Sequence, residues 1–314
     1  MRFGVVVGAP TRDGYVTAVR RAEQLGYDVA LCSDHLELAG RHFSHFAPIP
    51  ALTAAAMVTE RIRIGTSVLN QDFRHPAVLA REAASLDVLS EGRLELGLGM
   101  GWNEPEYRMA GITFDPAPER LRRLTEYVQV VKGVMAEGQF SFAGEFFQIE
   151  AMAGEPVPLQ SPLPPIMIGA TRPRMLALAA READIVSVSM LQAPDPSESF
   201  LQSMVEQVKQ AAPDRFATLE LQLPLAATIR HATGGVDAVR AAIAGGEHFI
   251  SMLASKFGEE ALAGSPMVLT GTPTQMAEKL SDLGSRFGIG AVMIPMPQME
   301  ALAKVIQELN GVTK

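Results

Sequence analysis

The sequence predicts an α/β fold, a closed (β/α)₈ TIM barrel, and three observations carry that prediction. Eight short apolar runs recur along the chain, helical patterns separate them, and most of the runs are solidly apolar instead of alternating. Strands covered on both faces need solid runs, and strand alternating with helix is the signature of a parallel sheet. A doubly wound open sheet is the main competing architecture.

The predicted strands are 3–7, 28–33, 62–67, 94–98, 166–168, 185–188, 219–229 and 291–295. The first helix, 14–25, places Val16, Val19, Ala22 and Leu25 at helical spacing, with Gly26 as its stop. Pro76 opens a helix carrying Leu79, Ala83, Leu86 and Leu89 that ends near Gly92, and Pro173 opens one carrying Leu176 and Ala180. Thr272-Pro-Thr-Gln275 combines capping-box spacing with proline at the first helical position, so the helix through Leu283 has a specified start and leads into the last strand. Three segments, 37–50, 100–118 and 137–165, exceed an ordinary strand-to-helix connection and are expected to build the substrate side. In the third, 139–142 and 146–150 flank Ala143-Gly144-Glu145, which reads as a small hairpin inserted at the C-terminal face. With neither internal repeat nor linker, residues 1–314 read as a single domain.

Composition narrows the partners. The chain carries 27 Lys plus Arg against 35 Asp plus Glu, a net charge of −8 with no block of either sign, which argues against a nucleic-acid backbone. Its single cysteine, Cys32, permits no intrachain disulfide and fits a reducing compartment. The apolar run 3–7 is too short for a signal peptide, and no window reaches the roughly 18–20 apolar residues of a membrane span. The expectation is a cytoplasmic protein acting on a small molecule, with no membrane or nucleic-acid partner.

Strand ends supply the candidate chemistry, because this fold presents reactive groups at the C-terminal mouth of the barrel. Strand two ends in Ser33-Asp34-His35: His35 is the candidate catalytic acid or base and Asp34 the carboxylate that orients it, local capping being the alternative. Gly97, Gly99 and Gly101 lack the spacing of a dinucleotide fingerprint; either they let backbone approach a flat ligand or they mark a tight packed turn. Gly169-Ala-Thr-Arg-Pro-Arg174 offers small residues, a hydroxyl and two guanidinium groups before a helix, as a phosphate cradle or a solvated surface turn. His42-x-x-His45 without a His-x-His pair after strand one gives no metal centre, and Ser33, Ser67 and Ser187 lie in no nucleophile elbow. Met100, Met190, Met293 and Met296 read as lining or core.

Six motifs in order, Ala22-Glu-Gln-Leu-Gly-Tyr-Asp28, Ser33-Asp-His-Leu36, Phe73-Arg-His-Pro76, Leu86-Asp-Val-Leu-Ser-Glu-Gly-Arg93, Leu96-Gly-Leu-Gly-Met-Gly-Trp-Asn103 and Leu269-Thr-Gly-Thr-Pro-Thr-Gln275, resemble the luciferase-like monooxygenase superfamily, above all its deazaflavin-dependent branch. The resemblance spans nearly the whole chain. It implies a barrel that binds coenzyme F420, a deazaflavin, and passes a hydride between it and a small, fairly apolar substrate, with His35 managing the proton. Two alternatives stand: an FMN-dependent monooxygenase using oxygen and reduced flavin from a reductase partner, and a non-catalytic cofactor-binding barrel. By the same resemblance Ser67, Val68, Leu69 and Asn70 back the tricyclic ring around a non-prolyl cis peptide at Ser67–Val68. Met100, Gly101, Trp102 and Asn103 line the ring and ribityl chain, Gly169, Ala170, Thr171 and Arg172 hold the phosphate, and the protein is a homodimer. One departure is visible. Sugar-phosphate and secondary-alcohol dehydrogenases of the branch carry a tryptophan after the histidine and an acid near the end of strand four; Ala39 and Trp102 stand there instead, which disfavours those substrates. Glu104, Glu106 and Tyr107 follow, either as replacement acid and hydrogen-bonding groups or as solvated loop residues.

Overall fold

The computed structural model describes residues 1–36 and 46–312. Eight strands, Arg2–Val6, Val29–Cys32, Arg63–Thr66, Leu94–Gly99, Ile166–Ala170, Ile185–Val188, Glu220–Pro224 and Ile289–Pro295, form one parallel sheet, and we number these barrel strands one to eight. Strand one pairs with both strand two and strand eight, and strand three pairs with strand four through Ile64 and Leu94, so the barrel closes without an edge.

Each predicted run overlaps one barrel strand, but the run 219–229 divides. The barrel strand stops at Pro224, which has no amide hydrogen to extend the ladder, and Ala227–Arg230 pairs instead with Val268–Gly271 in a separate two-stranded sheet. The first helix starts two residues earlier than predicted, at Arg12, because the Thr11 hydroxyl accepts the Gly14 amide. His75 caps Pro76–Leu89, and the complete capping box at Thr272 and Gln275 starts Pro273–Phe287. The long segments also hold helices, Pro48–Val58 at the end of the first and Glu104–Ala110 within the second, and Ala117–Met135 follows the latter.

The inserted hairpin, Gln139–Ala143 with Gln148–Ala153, lies along Ala117–Met135. Its base is near the end of that helix, where Gly154 packs on Val134, and only its turn reaches the C-terminal side: Glu145 pairs with Arg122 at 2.9 Å, and Phe147 meets His75 edge-on at 5.6 Å.

Charged side chains seal the opposite end. Arg2 bonds Glu220 at 2.7 Å and also Glu95, while Arg63 bonds Glu95 at 2.6 Å. These residues stand on strands one, seven, four and three, so their side chains meet only inside the barrel. The plug leaves the C-terminal mouth as the way in for a ligand. Among the described residues no helix is long and apolar enough to cross a membrane.

Candidate active site

Strands two, three and four deliver their polar ends to the mouth. Beyond Cys32 the chain leaves strand two, and Asp34 turns toward the segment after strand three. There its Oδ2 accepts Nη1 of Arg74 at 2.6 Å and the Asn70 amide at 3.0 Å, and its Oδ1 accepts Nη2 of Arg74 at 3.2 Å. Both oxygens are engaged, so Asp34 does not orient His35 as the sequence suggested: a buried carboxylate takes the strongest donors within reach. Burial opposes the charge on Arg74, but the hydrogen bonds and field of Asp34 outweigh it and raise its pKa.

His35 is held by another element. Its Nδ1 lies 3.3 Å from both carboxylate oxygens of Glu106, on the helix Glu104–Ala110, and the Leu36 amide donates to Oε2 of Glu106 at 3.0 Å. Trp102, half exposed at the mouth, meets the imidazole edge-on with ring centres 5.7 Å apart. Glu104 is exposed and makes no such contact. Ala39, His42 and His45 lie outside the described residues.

The wall beside His35 is formed by the ends of strands three and four. The non-prolyl cis peptide stands at Ser67–Val68, where the resemblance implies it, and Leu69–Asn70 then pairs with Leu98 and Gly99. Ser67 Oγ lies 3.2 Å from the Met293 sulfur across the barrel, and Leu69 is fully buried, so its side chain supports the wall from behind. Asn70 Oδ1 accepts the Asp72 amide at 3.1 Å and lies 2.9 Å from the Tyr107 hydroxyl. That hydroxyl donates to Asp72 Oδ2 at 2.7 Å, and Asp72 is paired in turn with Arg123. Burial first, then the Asp72 bond, raise the Tyr107 pKa. The side-chain nitrogen Nδ2 of Asn70 is left buried beside Gly101 with no partner among the described residues. A buried donor without an acceptor costs about 1–3 kcal/mol.

The glycines after strand four serve packing. A Cβ at Gly97 would stand 2.0 Å from the Thr66 carbonyl oxygen, at Gly99 2.5 Å from Val68, and at Gly101 1.8 Å from the Tyr107 hydroxyl. Of the two readings, the tight packed turn is the one realised. Gly169 is different: its Cβ would meet only Val68, at an ordinary van der Waals distance of 3.8 Å, so packing does not demand a glycine there. The tract Met100–Asn103 is fastened by Arg120, a buried guanidinium that donates to the Met100 carbonyl at 3.2 Å and to that of Gly101 while lying 4.0 Å over Phe114. Asn103 is buried and its carbonyl accepts the Glu106 amide at 3.1 Å.

At the end of strand five, Ala170 is buried, and the Thr171 hydroxyl donates to the Ser189 carbonyl at 2.8 Å and so has no hydrogen left for a phosphate. Arg172 stands exposed at the start of Pro173–Glu182, and Arg174 is exposed beside it. Sequence reasoning missed Arg74 and Arg120 as organisers of this site. Arg74 lies inside the motif Phe73–Pro76, which marked its neighbourhood, whereas nothing in the sequence connects Arg120 with the Met100–Gly101 turn.

The family model for luciferase-like monooxygenases matches residues 4–288. An F420-dependent glucose-6-phosphate dehydrogenase of Microbacterium testaceum is 37% identical over 166 residues, 52% of this chain and 48% of that protein. The oxygenase component of a flavin-dependent trigonelline monooxygenase of Acinetobacter baylyi is 35% identical over 153 residues, 48% of this chain and 41% of that protein. The chain thus spans about half the length of the curated relatives it matches. Among solved structures, the coenzyme F420 dependent tetrahydromethanopterin reductase from Methanopyrus kandleri superposes with a TM-score of 0.77 at 20% identity, covering 100% of this chain and 99% of that one.

Proposed function

The chain belongs to the luciferase-like monooxygenase family, and from that premise we propose that it is a deazaflavin-dependent oxidoreductase, passing a hydride between coenzyme F420 and a small, fairly apolar molecule. The observation that carries the proposal is His35, an imidazole at the barrel mouth whose Nδ1 faces the buried Glu106 carboxylate and whose Nε2 has no hydrogen-bond partner among the described residues. A hydride transfer to or from a polar bond must be balanced by a proton, and an imidazole takes or gives one near neutral pH. The F420-dependent relative supports the deazaflavin.

The residues present suit a flat, polar-edged ring. Val68 and Asn70 back the ring, Met100, Gly101, Trp102 and Asn103 close over it, with Trp102 half exposed at the mouth, and Ser67 and Leu69 stiffen the wall behind. The backbone of Gly169, Ala170 and Thr171 and the exposed Arg172 side chain receive the phosphate, with the charge of Arg172 as the attractive component. Bound there, a deazaflavin supplies two-electron hydride chemistry without ready activation of oxygen. Asp34 contributes by holding Arg74 and the Asn70 amide, which fixes the wall.

The second reading, an FMN-dependent monooxygenase with a reductase partner, draws on the trigonelline monooxygenase relative and uses the same pocket. In both, residues 1–314 act as one domain in a homodimer, a state that sedimentation velocity reads directly. The test is His35→Ala: turnover falls by about 10²–10⁴ while cofactor affinity changes by less than about threefold. Unchanged turnover overturns the assignment of His35.

A further inference from the structure

The ring of His35 is gripped by a carboxylate that the proposed reaction has not yet used. Glu106 is 1% exposed, and among the described residues two donors face its carboxylate: the Leu36 amide, 3.0 Å from Oε2, and His35 Nδ1, 3.3 Å from each oxygen. The contact bridges the exit of strand two to the helix after strand four, 71 residues away in sequence.

A neutral imidazole carries its proton on one nitrogen and a lone pair on the other. With the proton on Nε2, the Nδ1 lone pair would face two carboxylate oxygens at 3.3 Å in a buried setting, which is repulsive. With the proton on Nδ1, the same geometry is a charge-assisted hydrogen bond shared by both oxygens. No competing group near the ring reverses this preference. Asp34 is committed to Arg74 and the Asn70 amide, Asp72 to Arg123 and Tyr107, Glu104 is exposed, and Trp102 meets the ring by an edge contact.

We infer that Glu106 is a positioning residue: it fixes His35 as the Nδ1–H tautomer and leaves Nε2 as the atom that takes up or releases the proton. This assignment rests on the proposed function for its consequence, but the tautomer itself does not depend on any reaction. The Leu36 amide bond adds a second hold, because it ties the backbone beside the imidazole to the same carboxylate.

The experiment is nitrogen NMR of the full chain labelled with ¹⁵N-histidine, without cofactor, at a pH where the ring is neutral. The His35 signals are identified among those of the 6 histidines by their loss in His35→Ala. The wild-type protein shows Nδ1 protonated and Nε2 bare. In Glu106→Gln the side-chain amide can donate as well as accept, so the tautomer ratio moves at least about tenfold toward Nε2–H, about 1.4 kcal/mol. Glu106→Asp, which keeps the charge, restores the Nδ1–H form. A wild-type ring protonated at Nε2 overturns the inference even if Glu106→Gln fails to fold, and so does a ratio unchanged in the folded glutamine variant. Turnover plays no part in this readout: a protein that shows the Nδ1–H tautomer yet binds no deazaflavin keeps the positioning pair and loses the proposed function.

Discussion

Replacing Arg74 with alanine removes the only guanidinium bonded to Asp34 among the described residues and leaves a buried carboxylate with the Asn70 amide as its remaining donor. The Asp34 side chain is 6% exposed and that of Arg74 19% exposed. Breaking a fully buried pair by removing one partner costs about 3–5 kcal/mol, and the partial exposure of Arg74 puts this case at the lower end, about 3 kcal/mol. Arg74→Lys keeps the charge but loses the two-pronged contact, for a loss of about 1 kcal/mol. The assay is urea unfolding followed by circular dichroism, with Asp34→Asn and the double variant Asp34→Asn/Arg74→Met completing a cycle. The double variant recovers part of the loss because no uncompensated charge remains inside. A loss below about 1 kcal/mol for Arg74→Ala, or strictly additive single losses, would refute the view of this pair as a desolvated clamp on the wall of the site.

Two further outcomes follow from local geometry. Gly97→Ala drives a methyl group to within 2.0 Å of the Thr66 carbonyl and 2.8 Å of Met167, so it destabilises the barrel by about 1–3 kcal/mol or more. Gly264→Ala, with nothing within 4 Å, is the control and stays within about 0.5 kcal/mol in thermal unfolding. Burial, with Asp34 adding to it, pushes the Cys32 thiol up to about 12 from 9.0, so a thiol reagent at pH 8 leaves the folded protein unlabelled and reacts once it is unfolded. The raised folded value makes the contribution of Cys32 constant below pH 9 and progressively lost toward pH 12, visible as a falling unfolding midpoint; fast labelling of the folded protein contradicts it.

The barrel was legible because its physics is local. Strands covered on both faces must be solidly apolar, and Thr272, Pro273 and Gln275 write a helix start within four residues. The division at Pro224 was hidden because the residues on either side, Leu223 and Leu225, are equally apolar and both end in the core. At the site, His35 stood out by its place at a strand end, but its partner did not. Asp34 is adjacent in sequence yet faces Arg74, whereas Glu106 becomes a partner only when strands two and four lie on the same side of a closed barrel. The glycines after strand four carried two readings because a residue lacking a side chain looks the same whether a ligand or a neighbouring strand needs the room. Only the position of the Thr66 carbonyl and the Tyr107 hydroxyl separates the two.

The most direct test of the central claim is parallel equilibrium titration of the cofactor-free protein with coenzyme F420 and with FMN, following cofactor fluorescence at one fixed, moderate salt concentration. The account predicts that the deazaflavin binds at least tenfold more tightly, about 1.4 kcal/mol in its favour. An equal or greater preference for FMN would contradict deazaflavin-dependent hydride transfer and assign the pocket to oxygen chemistry.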